Sequence, residues 1–547
     1  MTSAPPGAGS SAPADPRQAD LGQADPRQAD PRQADSLQPD PRPAEPEAPW
    51  LRLSPRSLVV RPVMDLIRLL PVLLGLFYLR SRGGSANYWG LAFAAFAIVT
   101  SIVRWLTTRY RLTADRIYVR HGLLSKKILS VARDRVRTVD LTAHLPYRVL
   151  GLRRVAVGTG RNDRREGESI RLDALTLADA ETLRTTLLVT AEKKNRAEIS
   201  SAPVQSPAPV ATEIARLHPA WIRFAPLTLT GMVIIGVVLG FAVQFIEAAH
   251  VDLAAIGPVH RLGADFASMP VSRRILTALA GVAAGVVAIS TAGYVAVFWK
   301  FRLTRHGGGT LRVTRGLLST RATTIDASRL RGVELSEPLL LRAAGGARLI
   351  AITTGLRVGR GAERGGSLLL PPAPSAVARS VTAAVLGEPA QLSGCPLVRH
   401  GPRARRRRYI RALAGGAVLV ALTTLAVRLS GGPAWVPVSS LVLLPLAAAL
   451  AADRYASLGH RLTGGWLITR TGSLVRRRAI LSTDGIIGWR VHQSWFQRRQ
   501  GLVTLTAVTA AGRQHYEARD IPAGLALSVA SQATPDLVRP FLAAAGN

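Results

Sequence analysis

The chain has 547 residues, enough for several domains, with 48% hydrophobic residues and a net charge of +36. Its mean hydropathy is +0.19 and its pI is about 11.7. So basic a balance fits either a nucleic-acid binder, which releases counterions from phosphate, or a membrane protein whose cytoplasmic face meets anionic lipid. The second reading is favoured: lysines and arginines sit beside and after apolar spans, neither a groove-reading motif nor zinc-ligand spacing occurs, and no nucleic-acid partner is expected. The single cysteine, Cys395, cannot form an intrachain disulfide, which fits a reducing cytoplasm, and reads as an incidental linker residue before Pro396.

In chain order, residues 1–48 form a Pro/Asp/Gln-rich tail in which Ala14–Asp20 recurs at Ala24–Asp30. Such a segment has too little apolar surface to offset its ordering entropy and is expected to be disordered. It has neither the basic start nor the apolar run of a signal peptide. Six apolar spans follow in three pairs, at 62–80 and 88–106, 225–247 and 276–299, and 409–428 and 434–452. Each is near the ~20 residues a helix needs to cross the hydrocarbon layer. Asp65 and Arg68 interrupt the start of the first and read as an interfacial helix end, while Tyr88, Trp105, Trp299 and Trp435 fall at span ends as in an aromatic belt.

Connections within the pairs carry few positive charges, whereas the segments between pairs are rich in them; Arg403–Arg408 holds five arginines directly before the fifth span. The positive-inside rule therefore predicts a multi-pass protein of the cell membrane with both termini in the cytoplasm.

After each pair the same stretch recurs. Tyr110-Arg111-Leu112-Thr113, Phe301-Arg302-Leu303-Thr304 and His460-Arg461-Leu462-Thr463 lead to Gly122, Gly316 and Gly472. From these glycines, Val136, Leu330 and Ile486 lie 14 positions on (136−122, 330−316, 486−472), and Gly151, Gly345 and Gly501 lie 29 on (151−122, 345−316, 501−472). Two offsets kept across three copies mark a repeated domain. We read the glycines of both sets as structural turns, the second set as needing positive φ or a close backbone approach. Arg116–His121 alternates polar and apolar residues as a half-buried strand does; Lys127–Val131, Val136–Leu141, Val155–Val157, Leu349–Ile352 and Leu502–Thr506 read as further strands. Each copy ends in helical periodicity, over Leu177–Ala191, Ser375–Leu386 and Pro522–Ala544. Short strands followed by one helix predict an α+β domain, a small β-barrel or sandwich capped by a C-terminal helix.

The aromatic or polar residue plus Arg-Leu-Thr after an apolar hairpin, the strand into Gly122-Leu123-Leu124, the Arg135–Asp140 segment, and Leu150-Gly151-Leu152 before Val155-Ala156-Val157 together resemble the bacterial membrane-flanked pleckstrin-homology-like (PH-like) family. The resemblance covers about 50–550 in three units. Copy two departs by inserting Gly307-Gly308-Gly309. The resemblance implies three transmembrane hairpins (62–106, 225–299, 409–452), each followed by a cytoplasmic PH-like domain (107–192, 300–388, 453–545), with linkers at 193–222 and 389–408. It also implies a role in envelope maintenance or stress tolerance.

No catalytic constellation, metal-ligand set or cofactor motif accompanies this layout; Gly359–Gly366 reads as a surface hairpin, and neither enzyme activity nor a cofactor is expected. The best surface candidates are basic: Lys126, Lys127, Arg133, Arg135, Arg137, Arg148, Arg153 and Arg154 in copy one, and the juxtamembrane Arg405, Arg406, Arg407 and Arg408. In copy three, Arg476–Arg478, Arg498 and Arg499 hold comparable positions. A guanidinium matches phosphate oxygens bidentately, so the expected contacts are anionic lipid headgroups or an acidic protein, including a neighbouring membrane PH-like protein. The competing reading of each is a solvated basic face or a topogenic signal. The chain reads as a non-enzymatic membrane scaffold, with a transport or export component as the alternative; the near absence of ionisable residues within spans two to six argues against the latter.

Overall fold

The computed structural model describes most of residues 49–60, 95–158, 170–183, 211–227, 261–354 and 366–543, and Gly240. The tail, the span at 62–80, much of 88–106 and most of 225–247 lie outside the described residues. So do Gly122, Lys126, Arg135, Arg137 and most of the 359–366 hairpin.

In copy one, β1 (Leu51–Arg52), β2 (Arg109–Leu112), β3 (Arg116–His121) and β4 (Lys127–Ala132) form one antiparallel sheet. Then come β5 (Thr138–His144), helix α1 (Leu145–Val149), β6 (Leu152–Gly158), β7 (Ile170–Thr176) and a helical stretch at 177–183. Copy two has β8 (Thr212–Arg216), α2 (Val271–Phe298), β9 (Arg302–His306), β10 (Thr310–Arg315), β11 (Ser319–Asp326), β12 (Leu330–Pro338), α3 (Leu339–Ala343), β13 (Gly346–Thr353), β14 (Leu368–Pro374) and α4 (Ser375–Leu386). Copy three follows a short α5 (Gln391–Gly394) and the apolar helices α6 (Gly401–Ser430), α7 (Trp435–Ser440) and α8 (Leu443–Ala456). It comprises β15 (Gly459–Thr463), β16 (Trp466–Thr471), β17 (Val475–Ser482), β18 (Gly488–His492), α9 (Trp495–Arg498), β19 (Leu502–Val508), β20 (His515–Pro522), α10 (Ala523–Ala533) and α11 (Pro535–Ala543).

Each copy sandwiches one core between its early and late strands. Along β10, Leu311 and Val313 point inward while Thr310, Arg312 and Thr314 are half-buried on the other face, the period-2 pattern of a strand with one covered side. Ile117, Val119, Val139, Leu141, Val155 and Leu172 fill copy one in the same way.

Three features differ from the sequence expectation. First, the apolar stretches of copies one and two lie in the chain between strands that pair with one another, and do not merely precede the domains. β1 pairs with β2, and β8 with β9, although an apolar stretch of sequence separates each pair in the chain; in copy three Val398 bridges His460. Trp221 and Phe224, in a 3-10 turn over Pro219–Leu227, are buried in the core of copy two, so this stretch belongs to the domain and not to a linker or span. Second, three helices among the described residues are long and apolar enough to cross a membrane: Val271–Phe298, Gly401–Ser430 and Trp435–Ala456. Only these three of the six expected spans fall there, and α6 begins at Gly401, taking Arg403–Arg408 into its first turns. Third, the C-terminal helix of copy three breaks at Thr534, because Pro535 disfavours helical geometry in the residue before it. Strand β5 also begins at Thr138; Val136 lies in the preceding turn, where its N–H donates to the Arg133 carbonyl.

Copies are joined edge to edge. Strand β5 of copy one pairs antiparallel with β11 of copy two, and β12 of copy two with β17 of copy three. The registers coincide: Val139 faces Thr324 and Val333 faces Ile480. Both valines stand 17 beyond their glycine (139−122, 333−316) and both partners 8 beyond theirs (324−316, 480−472). The cores merge across the second seam, with Ile468 and Ile480 of copy three in the core of copy two and Ile352 of copy two in that of copy three.

Candidate functional site: a basic cleft at the first seam

Where β5 meets β11, the end of α2 closes one side of a cleft of about 400 Å³. Its walls hold Arg148 and Arg153 from copy one and Lys300, Arg312, Arg315 and Arg321 from copy two, against the single carboxylate Glu181. Trp299, Leu177 and Leu317 form an apolar, exposed rim. The Gly316–Leu317 loop is fastened to the helix end, Gly316 N–H donating to the Trp299 carbonyl and Leu317 N–H to that of Ala296, both at 2.9 Å. The cleft therefore opens level with the last turn of an apolar helix.

Several of these cations are held by neighbours. Arg148 donates to the Leu317 carbonyl, and Arg153 to Thr320 Oγ1 at 2.9 Å. Arg312 pairs with Glu181 at 3.4 Å, and Arg321 with Asp140. Arg315, 6% exposed, lies over the Phe298 ring at 5.4 Å. Burial first, and then the neighbouring Arg148, lower the pKa of Arg153, with Glu181 opposing. Like charge held together at this depth favours an anion that would relieve it.

The other predicted residues separate. Arg154 turns away to bond Asp173. Arg133 is half-buried, its pKa lowered by burial against the pull of Asp115. Lys127 lies on β4. The Arg405–Arg408 run splits around its helix: Arg407 and Arg408 both pair with Asp520, which is fully buried, whereas Arg405 and Arg406 are exposed. The latter two, with Arg403, Tyr409, Ile410 and Leu413, line a second, open cleft of about 640 Å³. In copy three, Arg476 bonds Asp453 and Ser457, Arg477 pairs with Glu334, and Arg478 donates to the Cys395 carbonyl. Gly151, Gly345 and Gly501 have φ of +70°, +71° and +65°, the left-handed region. At Gly316 and Gly472 a Cβ would lie 1.9 and 2.0 Å from the carbonyl oxygen three residues on.

Lys300, Arg312, Arg315 and Arg321 were not among the sequence candidates. For Arg321 a signal lies in copy alignment, since Arg321 and Arg477 both stand 5 beyond their glycine (321−316, 477−472). Among the described residues no group of His, Cys, Asp and Glu is placed to hold a metal.

A family model for the bacterial PH domain matches the chain three times, at residues 66–189, 227–385 and 416–534. The matches cover well over half of the chain, which belongs to this family. No curated protein and no solved structure matches it significantly.

Proposed function

We propose that the chain is a non-enzymatic membrane scaffold whose three cytoplasmic PH-like domains form one continuous platform along the bilayer, and that the cleft at the first seam holds an anionic lipid headgroup. PH domains are in general binding modules without catalytic residues of their own. The carrying observation is the cleft: six cations and one carboxylate line it at the end of an apolar helix, with Asp140 behind the wall pairing with Arg321. A phosphate there takes hydrogen bonds from guanidinium forks while its acyl chains lie along the exposed apolar rim. Arg405 and Arg406, above Tyr409, Ile410 and Leu413 on one helix, offer a second such place.

The test is native mass spectrometry of the full chain, extracted from membranes of defined phosphatidylglycerol and phosphatidylcholine content. Retention of the anionic lipid alone, reduced by Arg153→Gln with Arg312→Gln, supports the reading. Equal retention of both lipids, or no effect of the substitutions, refutes the cleft as a headgroup site.

A further inference from the structure

Both seams follow one rule. The residue 18 beyond the glycine is an acid, Asp140 or Glu334, and it is buried. The residue 5 beyond the next glycine is a base, Arg321 or Arg477, and it pairs with that acid across the seam. The registers are the same, so the seam is a repeated docking geometry between PH domains and not an accident of one linker. Among the described residues it leaves an unused half at each end of the platform. At one end, β4 is the outer strand of its sheet among the described residues. It keeps a base at the fifth position, Lys127 (127−122), and exposes Ile128 at 59%. At the other end β18 is the outer strand, and the eighteenth position is Arg490 (490−472). Arg490 is exposed, and its side chain makes no hydrogen bond or ion pair among the described residues.

Placed in the seam register against β4 of a second copy, Arg490 would lie opposite Leu129, two residues from Lys127. Two cations would then meet where both internal seams place an acid and a base, and like charges opposite each other on paired strands are destabilising. Open edges invite head-to-tail growth, and heterologous contacts of this kind build fibres. A base at the eighteenth position blocks it.

We infer that the outer edge of β4 in copy one is the docking site for the second-sheet edge of a separate bacterial PH domain carrying a carboxylate at the position of Asp140 and Glu334, and that Arg490 bars a second copy of this chain from that role. The occupant continues the sheet by main-chain hydrogen bonding, with its acid opposite Leu129 and two register positions from Lys127, as Asp140 and Glu334 stand to Arg321 and Arg477 in the two seams already present.

The experiment supplies the missing acid from the chain itself. Purified full-length chains with two different tags are mixed in lipid nanodiscs or detergent, and capture through one tag is scored for the other. Arg490→Glu chains should be captured by the wild type at least tenfold above the wild-type pair, and alone should grow in size with concentration. Capture should be lost when the acceptor carries Lys127→Glu, and should return when that acceptor meets a wild-type chain, whose Arg490 then has an acid to face. Thermal melting of each variant checks that it is folded. Failure of Arg490→Glu to associate, or association indifferent to Lys127→Glu, overturns the docking site. Capture between wild-type chains overturns the exclusion of a second copy.

Discussion

Arg321 of copy two grips the buried carboxylate of Asp140 in copy one with both arms of its fork, Nε donating to Oδ1 at 3.0 Å and Nη2 to Oδ2. Thr323 Oγ1 donates to Oδ1 at 2.9 Å. At the second seam Arg513 Nε donates to Glu334 Oε2 at 2.9 Å, and Arg477 lies 3.5 Å from the other oxygen. One acid per seam thus collects the polar bonds of the partner domain where water is excluded.

Removing that acid leaves a cation without its partner. Breaking a buried pair from one side costs about 3–5 kcal/mol, and the partial exposure of Arg321 brings the expectation to roughly 2–3. Asp140→Asn should therefore loosen copy one from copy two while each keeps its own core. Limited proteolysis should cut between them faster. Hydrogen exchange should rise in β5 and β11 and stay unchanged in β6 and β10. Uniform destabilisation of copy one would contradict a seam-specific role.

Gly332 offers a steric test of the second seam. Its φ is +151° and a Cβ there would lie 2.0 Å from the carbonyl oxygen of Ile480, on the facing strand of copy three. Neither backbone can yield without breaking the ladder. Gly332→Ala should separate copies two and three, read as faster exchange of the β12 and β17 amides. Gly345→Ala is the contrast: it strains a left-handed turn but meets nothing within 4 Å, so the seam should survive it.

The repeat, the α4 helix at Ser375–Leu386 and the strands near the second glycines were legible because period and spacing are local properties. The pairing of strands across the apolar stretches was not. β1 is two residues long and β8 is Thr-Glu-Ile-Ala-Arg, too short for an alternation to register, and their partners lie beyond an apolar stretch of sequence. Nor were the seams: alternation says which face of a strand is buried, and says nothing of which strand lies at its edge. Arg148 and Arg153 read from the sequence as basic surface, yet the cleft they share with Lys300 and Arg312 exists only once β5 meets β11.

A pair of histidines predicts a pH dependence. His400 Nδ1 faces the Arg519 carbonyl at 2.8 Å, and His400 Nε2 faces His460 Nδ1 at 3.0 Å, so each neutral ring donates once along the chain. Burial, then the neighbouring His400, lowers His460 to about 4. Burial also lowers His400, against the Arg519 carbonyl and Asp520, with Arg408 adding to the lowering. A folded pKa below the unfolded 6.5 means that the unfolded chain binds more protons in between. The stabilisation is then complete above about pH 6.5 and falls as pH drops towards 4, by ~3 kcal/mol at most for His460. Thermal melting between pH 7.5 and 5 should show this slope, and His460→Gln should flatten it. A wild-type profile already flat over that range would contradict the pairing.

The split of the arginine run in α6 separates fold from ligand. Arg407 and Arg408 hold a carboxylate, Asp520, that has no exposed surface and also accepts from Gln497 Nε2 at 2.9 Å. Losing one guanidinium leaves buried charge poorly balanced, so Arg407→Gln should lower the melting temperature of the full chain by several degrees, for a loss of about 2–3 kcal/mol. Arg405 and Arg406 face outward over Tyr409 and Ile410. Their replacement by Gln should leave melting unchanged and reduce the retention of phosphatidylglycerol, more so at low salt, where exposed charges are less screened. The four residues are consecutive, so a purely topogenic role would make the two pairs equivalent in both measurements; opposite effects of the two pairs would show one half of the run holding the fold and the other meeting the lipid.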